Sequence, residues 1–194
     1  MTRRIGIYGG SFNPIHNGHT LLGAALCDMG YVDELWFVVS PMNPLKQDVQ
    51  SELLPDAERL HLCRLAVADD PRLLVSDVEF SMPRPSYMAD TLALLRNIHS
   101  DKEFILVIGS DNWLNFNRWS RPGEIMLHHR ILIFPRPGYP VDTAALPNGV
   151  TGVDTPLMNL SSTQIRHAIH TKNFNGEGLS PAVWQEIQTK HYYL

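Results

Sequence analysis

Two short stretches of this chain carry residue types that suit a polyanionic ligand. The first is Gly9-Gly10-Ser11-Phe12-Asn13-Pro14-Ile15-His16-Asn17-Gly18-His19. Gly9 and Gly10 let the backbone turn sharply and approach a ligand closely. Asn17 is expected to cap a helix that begins here, which places His19 in its first turn. Backbone N–H groups at a helix start favour an anion. His16 and His19, three residues apart, then stand near one another at that positive end. Their imidazoles can donate hydrogen bonds where charge builds up on phosphate oxygens. The second stretch is Leu160-Ser161-Ser162-Thr163-Gln164-Ile165-Arg166. Ser161 as N-cap with Gln164 three residues on fits a capping box. Ile165, Ala168 and Ile169 supply a buried face. Arg166 lies about one turn in and is long enough to reach back to an anion at the helix start.

Other chemistries are less well served by these residues. His-x-x-His could be half of a metal site, but no Cys-x-x-Cys or His-Glu-x-x-His accompanies it. His128 and His129 are adjacent, so their rings point apart on a helix. The Gly-Lys-Ser/Thr ending of a Walker loop is missing, as is the dinucleotide Gly-x-Gly-x-x-Gly. No Ser-His-Asp set or cysteine nucleophile stands out. Cys27 and Cys63 lie in apolar helical patterns, which points to a reducing, cytoplasmic setting and away from a disulfide framework. His61, His99, His167, His170 and His191 read as surface or structural.

These motifs need a frame. The chain has 194 residues, 44% apolar and 19% charged, enough for one domain with a sizeable core. No apolar run reaches the ~18 residues of a membrane span. The N-terminus runs from Arg3-Arg4 straight into Ile5-Gly6-Ile7 and lacks a signal-peptide pattern. The formal net charge of −4 argues against coating a nucleic acid, while leaving room for a small phosphorylated ligand at a local site. Strands are expected at Arg4–Tyr8, Leu35–Ser40, Leu73–Ser76, Phe104–Ile108 and Ile131–Phe134, with a short one near Val150–Val153. Helices are expected at Gly18–Met29, Pro55–Ala68, Met88–His99 and Pro122–His128, then Ser162–Thr171 and Pro181–Lys190. Several strands are apolar on both faces, as between two helix layers. The alternation predicts an α/β, Rossmann-like doubly wound parallel sheet with C-terminal helices, in a single domain over 1–194. Ligands then bind beyond the C-terminal ends of the strands.

Taken whole, the first string resembles the Gly-x-Phe-x-Pro-x-His-x-Gly-His signature of the nucleotidyltransferase superfamily. The second resembles that superfamily's late Ser-Ser/Thr-Thr-x-Ile-Arg motif. Further landmarks are Asn43-Pro44-Leu45-Lys46, Arg84-Pro85-Ser86-Tyr87, Gly109-Ser110-Asp111, Phe116-Asn117-Arg118-Trp119 and Arg136-Pro137-Gly138-Tyr139. Together they make the chain similar, along its whole length, to the bacterial nicotinate-nucleotide adenylyltransferase family. The resemblance implies an enzyme joining ATP to nicotinate mononucleotide, giving nicotinate adenine dinucleotide and pyrophosphate on the route to NAD. It implies that Gly9, Gly10, Ser11 and Phe12 cradle ATP. His16, His19 and Arg166 would hold its phosphates, supported by Ser161 and Thr163. Gly109 and Asp111 would lie along the adenosine, and Lys46 would reach a phosphate. Tyr87 and Trp119 would enclose the pyridine ring, with amides around Met88 and Ser120 meeting its carboxylate.

The chain departs from the family pattern where Leu45 stands in place of a common His and Met88 in place of Thr. No dedicated metal site is expected; Mg²⁺ arrives with the triphosphate and keeps several waters. A sister adenylyltransferase acting on nicotinamide mononucleotide or pantetheine phosphate remains the alternative, as do a nucleotide-sensing module and a metal hydrolase. Neither nucleic acid nor membrane is expected as a partner, and a homo-oligomer stays open.

Overall fold

The computed structural model describes residues 2–41, 53–156, 160–171 and 173–193. Strand β1 (Arg3–Gly10) leads into helix α1 (Asn17–Asp28), strand β2 (Glu34–Val39) into α2 (Asp56–Val67). Strand β3 (Leu73–Ser76) is followed by a 3₁₀ turn (Val78–Ser81) and α3 (Met88–Ile98). Strand β4 (Lys102–Gly109) runs directly into the one-turn helix α4 (Ser110–Trp113), and α5 (Pro122–His128) precedes β5 (Ile131–Phe134). Two further 3₁₀ turns (Phe116–Arg118 and Thr143–Ala145), strand β6 (Val150–Gly152) and helices α6 (Ser162–Ile169) and α7 (Pro181–Lys190) complete the described elements.

These strands form one sheet in the order β3-β2-β1-β4-β5-β6, with every neighbouring pair parallel. This is the doubly wound order, and the strand sequence reverses direction between β1 and β4. A crevice opens there because the loops leaving β1 and β4 turn to opposite sides of the sheet.

The period-two pleat divides the strands between two cores. Ile5 and Ile7 of β1 and Phe104, Leu106 and Ile108 of β4 pack with Leu92 and Leu95 of α3 and Ile125 of α5. On the opposite face, Ile105 and Val107 of β4 join Leu22, Leu26, Cys63, Ile165, Val183 and Ile187 from α1, α2, α6 and α7. Gly6 of β1 faces this second core, where a Cβ would lie 2.9 Å from Leu35 Cδ1. The C-terminal helices thus complete the core on the α1 side.

The expected strands and principal helices all occur, with end shifts of a few residues. Two turn assignments change. Pro55 is the N-cap of α2 and not its first helical residue, whereas Pro122 does open α5. Asn17 does not cap α1: His16 is the N-cap and Asn17 the first helical residue. The reason is local, because the His16 carbonyl already accepts from the His19 N–H at 2.9 Å.

Candidate active site

A cavity of ≈ 540 Å³ opens at the C-terminal ends of β1 and β4. Its wall contains Gly9, Gly10, Ser11, Phe12, His16 and His19 from the first motif, and Ser161, Thr163 and Arg166 from the second. Gly109 and Asp111 line it from β4 and α4, and Tyr87, Met88, Trp119 and Ser120 from the far side. The two motifs, separated by about 150 residues in sequence, therefore share one space. Lys46 and the Leu45 departure lie outside the described residues.

The histidines are arranged by backbone hydrogen bonding. His16 and His19 are both buried, with 4% and 8% exposure. Their rings stack at 3.6 Å between centroids, 25° from parallel. The His16 backbone N–H donates to His19 Nδ1 at 3.1 Å. A neutral His19 must then carry its proton on Nε2. Burial, and secondarily the charge of Arg136, holds the His16 pKa down to about 4, so His16 is neutral at pH 7. Its Nδ1 is buried without a hydrogen-bond partner. A neutral, pre-desolvated ring is suited to donating one hydrogen bond to an arriving oxyanion without first shedding water.

Around them the loop is held rigidly. Phe12 sits at φ 45°, a left-handed conformation unusual for a bulky residue. Its ring is kept there by edge contacts with Tyr8 (5.7 Å), His19 (5.1 Å) and Phe37 (5.6 Å). Gly9 allows the loop to pass close to α3: a Cβ there would lie 2.5 Å from Met88 Cε. Arg59 of α2, fully buried, reaches under the loop. Its Nη1 donates to the carbonyls of Ser11 (2.5 Å) and Ser40 (2.9 Å), its Nε to Leu54 O (3.0 Å), and Nη2 pairs with Asp56 (2.6 Å). A buried guanidinium is tolerated because its donors are satisfied in this way.

Helix α6 brings the second motif to the first. Ser161 Oγ accepts from the Gln164 N–H at 3.2 Å, as an N-cap should. The Gln164 side chain accepts from the Ser161 hydroxyl at 2.9 Å, which differs from the reciprocal backbone bond of a capping box. Ser162 Oγ donates to Pro14 O at 2.9 Å and Arg166 Nη1 to Asn13 O at 2.9 Å. The start of α6 is thereby fastened onto the loop that carries His16.

On the adenosine side of the expected arrangement, Asp111 lies in the first turn of α4. Its Oδ1 is buried without a hydrogen-bond partner, as is Arg136 Nε, and the two are 3.8 Å apart. The Arg136 N–H donates to Ser110 Oγ at 2.9 Å, and its guanidinium lies 5.2 Å from the Phe134 ring centroid. Opposite, Tyr87 is the N-cap of α3 and 39% exposed. Trp119 packs on Phe116 at 5.3 Å, with its Nε1 buried and unpartnered. Among the described residues no group of three or more His, Cys, Asp or Glu is arranged to hold a metal ion.

A cytidylyltransferase-like family model matches residues 7–168. A protein of Bacteroides thetaiotaomicron, named a probable nicotinate-nucleotide adenylyltransferase, is 46% identical over 185 residues, covering 95% of this chain and 91% of the relative. The chain belongs to the nicotinate-nucleotide adenylyltransferase family. A similarly named adenylyltransferase of Porphyromonas gingivalis is 41% identical, covering 84% of this chain and 83% of its own. The fold also matches the Plasmodium falciparum nicotinic acid mononucleotide adenylyltransferase complexed with NaAD. The TM-score is 0.83 at 20% identity, over 98% and 97% of the two chains.

Three cavity or loop-supporting residues of this adenylyltransferase-family chain carried no role in the sequence reading: Arg59, Glu79 and Arg136. The string around Arg136 was a landmark without an assigned function. Arg59 and Glu79 had no local signal, because a charged residue in a helical or turn pattern reads as solvated until its tertiary neighbours are known. The cysteines stay outside the chemistry: Cys63 is buried, and burial raises the pKa of both thiols, that of Cys27 to about 11.

Proposed function

We propose that the chain joins ATP and nicotinate mononucleotide to form nicotinate adenine dinucleotide and pyrophosphate, in NAD biosynthesis. The observation that carries this reading is the junction of the two motifs: Arg166 bonded to Asn13 O, beside the stacked His16 and His19, in one cavity with Tyr87 and Trp119. This juxtaposition supports a reading in which the histidine and arginine side receives phosphates and the aromatic side the pyridine ring, with two nucleotides lying end to end.

The acceptor phosphate is already an anion and needs no activated nucleophile. It attacks the α-phosphorus of ATP in line, the α–β bridging bond breaks, and pyrophosphate leaves with the bond's electron pair. The protein's part is alignment and stabilisation of the charge moving onto phosphate oxygens. Gly9, Gly10, Ser11 and Phe12 cradle ATP. His16 and His19 donate to its phosphates, and Arg166, Ser161 and Thr163 hold the leaving pyrophosphate. Gly109 and Asp111 border the adenosine. Lys46 contributes a cation to a phosphate.

Mg²⁺ enters as part of the ATP substrate, with its remaining positions filled by water. The carboxylates on the cavity wall fit this arrangement: Asp111 faces Arg136, and both oxygens of Glu79 accept from hydroxyl groups.

Tyr87 and Trp119 take the pyridine ring, and backbone N–H groups at Met88 and Ser120 receive its carboxylate. A carboxylate only accepts hydrogen bonds, whereas an amide must also donate. Leaving the amide NH₂ against donors costs about 1–3 kcal/mol, or about ten- to a hundredfold in preference. The reaction belongs to the cytoplasm, where ATP and the mononucleotide are available; no helix among the described residues is long and apolar enough to cross a membrane. Pyrophosphate release with nicotinate mononucleotide, nicotinamide mononucleotide and pantetheine phosphate as acceptors tests the reading. The highest kcat/KM is expected for nicotinate mononucleotide, and equal or better use of another acceptor overturns it.

A further inference from the structure

Glu79 is a buried carboxylate with an exposure of 3%, on the wall of the active-site cavity. Its Oε2 accepts from Ser86 Oγ at 2.5 Å and its Oε1 from Thr91 Oγ1 at 2.8 Å. Both donors are themselves buried, Ser86 at 5% and Thr91 at 0% exposure. Ser86 ends the loop that enters α3, and Thr91 lies one turn inside the helix. One carboxylate therefore ties the last loop residue to the first turn, across the N-cap Tyr87.

Tyr87 needs such an anchor. It makes no side-chain capping bond, and its ring has no aromatic partner among the described residues, in contrast to Trp119 on Phe116. At 39% exposure, its ring is only partly packed. Its place is set by its backbone, and that backbone is held on both sides by Glu79's partners. Thr91 Oγ1 also lies 3.2 Å from Tyr87 O, and the Asp90 and Thr91 N–H groups bond that same carbonyl. The free N–H groups at the start of α3 move with it.

We propose that Glu79 is a positioning residue for the acceptor: through Ser86 and Thr91 it sets the Tyr87 ring and the adjoining N–H groups against the mononucleotide. It does not touch the reacting phosphates. The inference rests on the reading of the Tyr87–Trp119 side as the mononucleotide site. Ser86 and Thr91 each have one hydroxyl proton, and the shortest hydrogen bond of each hydroxyl is to Glu79. With both hydroxyls bonded to one buried carboxylate, the segment between them is tied at both ends. Binding to a pre-organised segment avoids an ordering cost that a loose one incurs.

The test is steady-state kinetics on Glu79→Ala, Glu79→Gln and Ser86→Ala, each with a melting temperature. In Glu79→Ala, which removes both hydrogen bonds to the carboxylate, the KM for nicotinate mononucleotide should rise about tenfold. The KM for ATP and kcat should stay within about twofold, because the phosphate loop is separately held by Arg59 and Arg166. Glu79→Gln should recover most of the loss, since its carbonyl oxygen accepts from Thr91 and its NH₂ donates to Ser86 Oγ. Ser86→Ala removes one link with a small change in volume, and should show the same selective rise at smaller size even if Glu79→Ala fails to fold.

Equal rises in both KM values, following the fall in melting temperature, would make Glu79 merely structural and overturn the proposal. Unchanged kinetics in all three variants would do the same. Wild-type protein that turns over nicotinate mononucleotide poorly would instead overturn the functional reading itself.

Discussion

Arg166 Nη1 donates to the carbonyl oxygen of Asn13 at 2.9 Å, joining the first turns of α6 to the loop after β1. Ser162 makes a parallel bond to Pro14 O. Asn13 is also gripped through its side chain, whose Oδ1 accepts from Tyr193 Oη at 2.7 Å and from the Leu54 N–H at 3.1 Å. One loop residue thus gathers segments from the beginning, middle and end of the chain. The consequence is that the Arg166 guanidinium and the loop after β1 are joined as one structural unit.

Arg166→Ala should reduce kcat by about 10²–10³, the usual effect of removing one preorganised transition-state donor. Arg166→Lys should recover little, because an ammonium lacks the planar fork that spans two oxygens. Single-turnover pyrophosphate release separates this loss from product release. Turnover near wild type in a folded Arg166→Ala protein would remove Arg166 from the mechanism.

His19→Ala should leave the fold intact and lower kcat by about 10²–10³. With its Nδ1 bonded to the His16 backbone N–H, a neutral His19 ring carries its proton on the opposite nitrogen, the one a phosphate contact would use. His19→Asn, which retains a polar side chain of similar reach, should retain more activity than the alanine variant. Kinetics at saturating ATP, alongside a thermal melt, checks both.

The depressed pKa of His16 predicts an acid limb in stability. The folded ring titrates at about 4 and the unfolded one near 6.5. Between those values the unfolded chain binds the extra proton, so stability rises with pH through this window and levels off above it. The full window corresponds to about 3 kcal/mol. His129 is lowered as well, chiefly by burial, and steepens the same limb. His16→Asn should reduce the loss between about pH 7.5 and about pH 4.5. Urea midpoints at the two pH values measure it, and identical slopes for wild type and variant would refute the assignment.

Trp119→Ala should raise the KM for nicotinate mononucleotide about tenfold while sparing that for ATP. Trp119 is already packed on Phe116 at 5.3 Å, so its ring is fixed before the ligand arrives. Trp119→Phe should lie between wild type and alanine. A proportional rise in both KM values would show that the tryptophan supports the cavity as a whole instead of receiving the pyridine ring.

Much of this protein was written locally. The β-branched runs, the glycine pair after β1 and the apolar face of Ile165 and Ile169 sufficed to predict the parallel sheet and the helices that carry the motifs. His16, His19, Ser161 and Arg166 stood out because their chemistry is tied to helix starts, a feature of a few consecutive residues. Only the tertiary structure decided how those helix starts meet. It also replaced Asn17 with His16 as the cap of α1, because hydrogen-bond geometry, not cap preference, set where the helix begins. The roles of Arg59, Glu79 and Arg136 were closed to the sequence for one reason. Each has decisive partners distant in sequence, 48 residues away for Arg59 and Ser11, 7 and 12 for Glu79, and 25 and 26 for Arg136, and a charged side chain declares whether it is solvated or buried only when the chain has brought those partners around it.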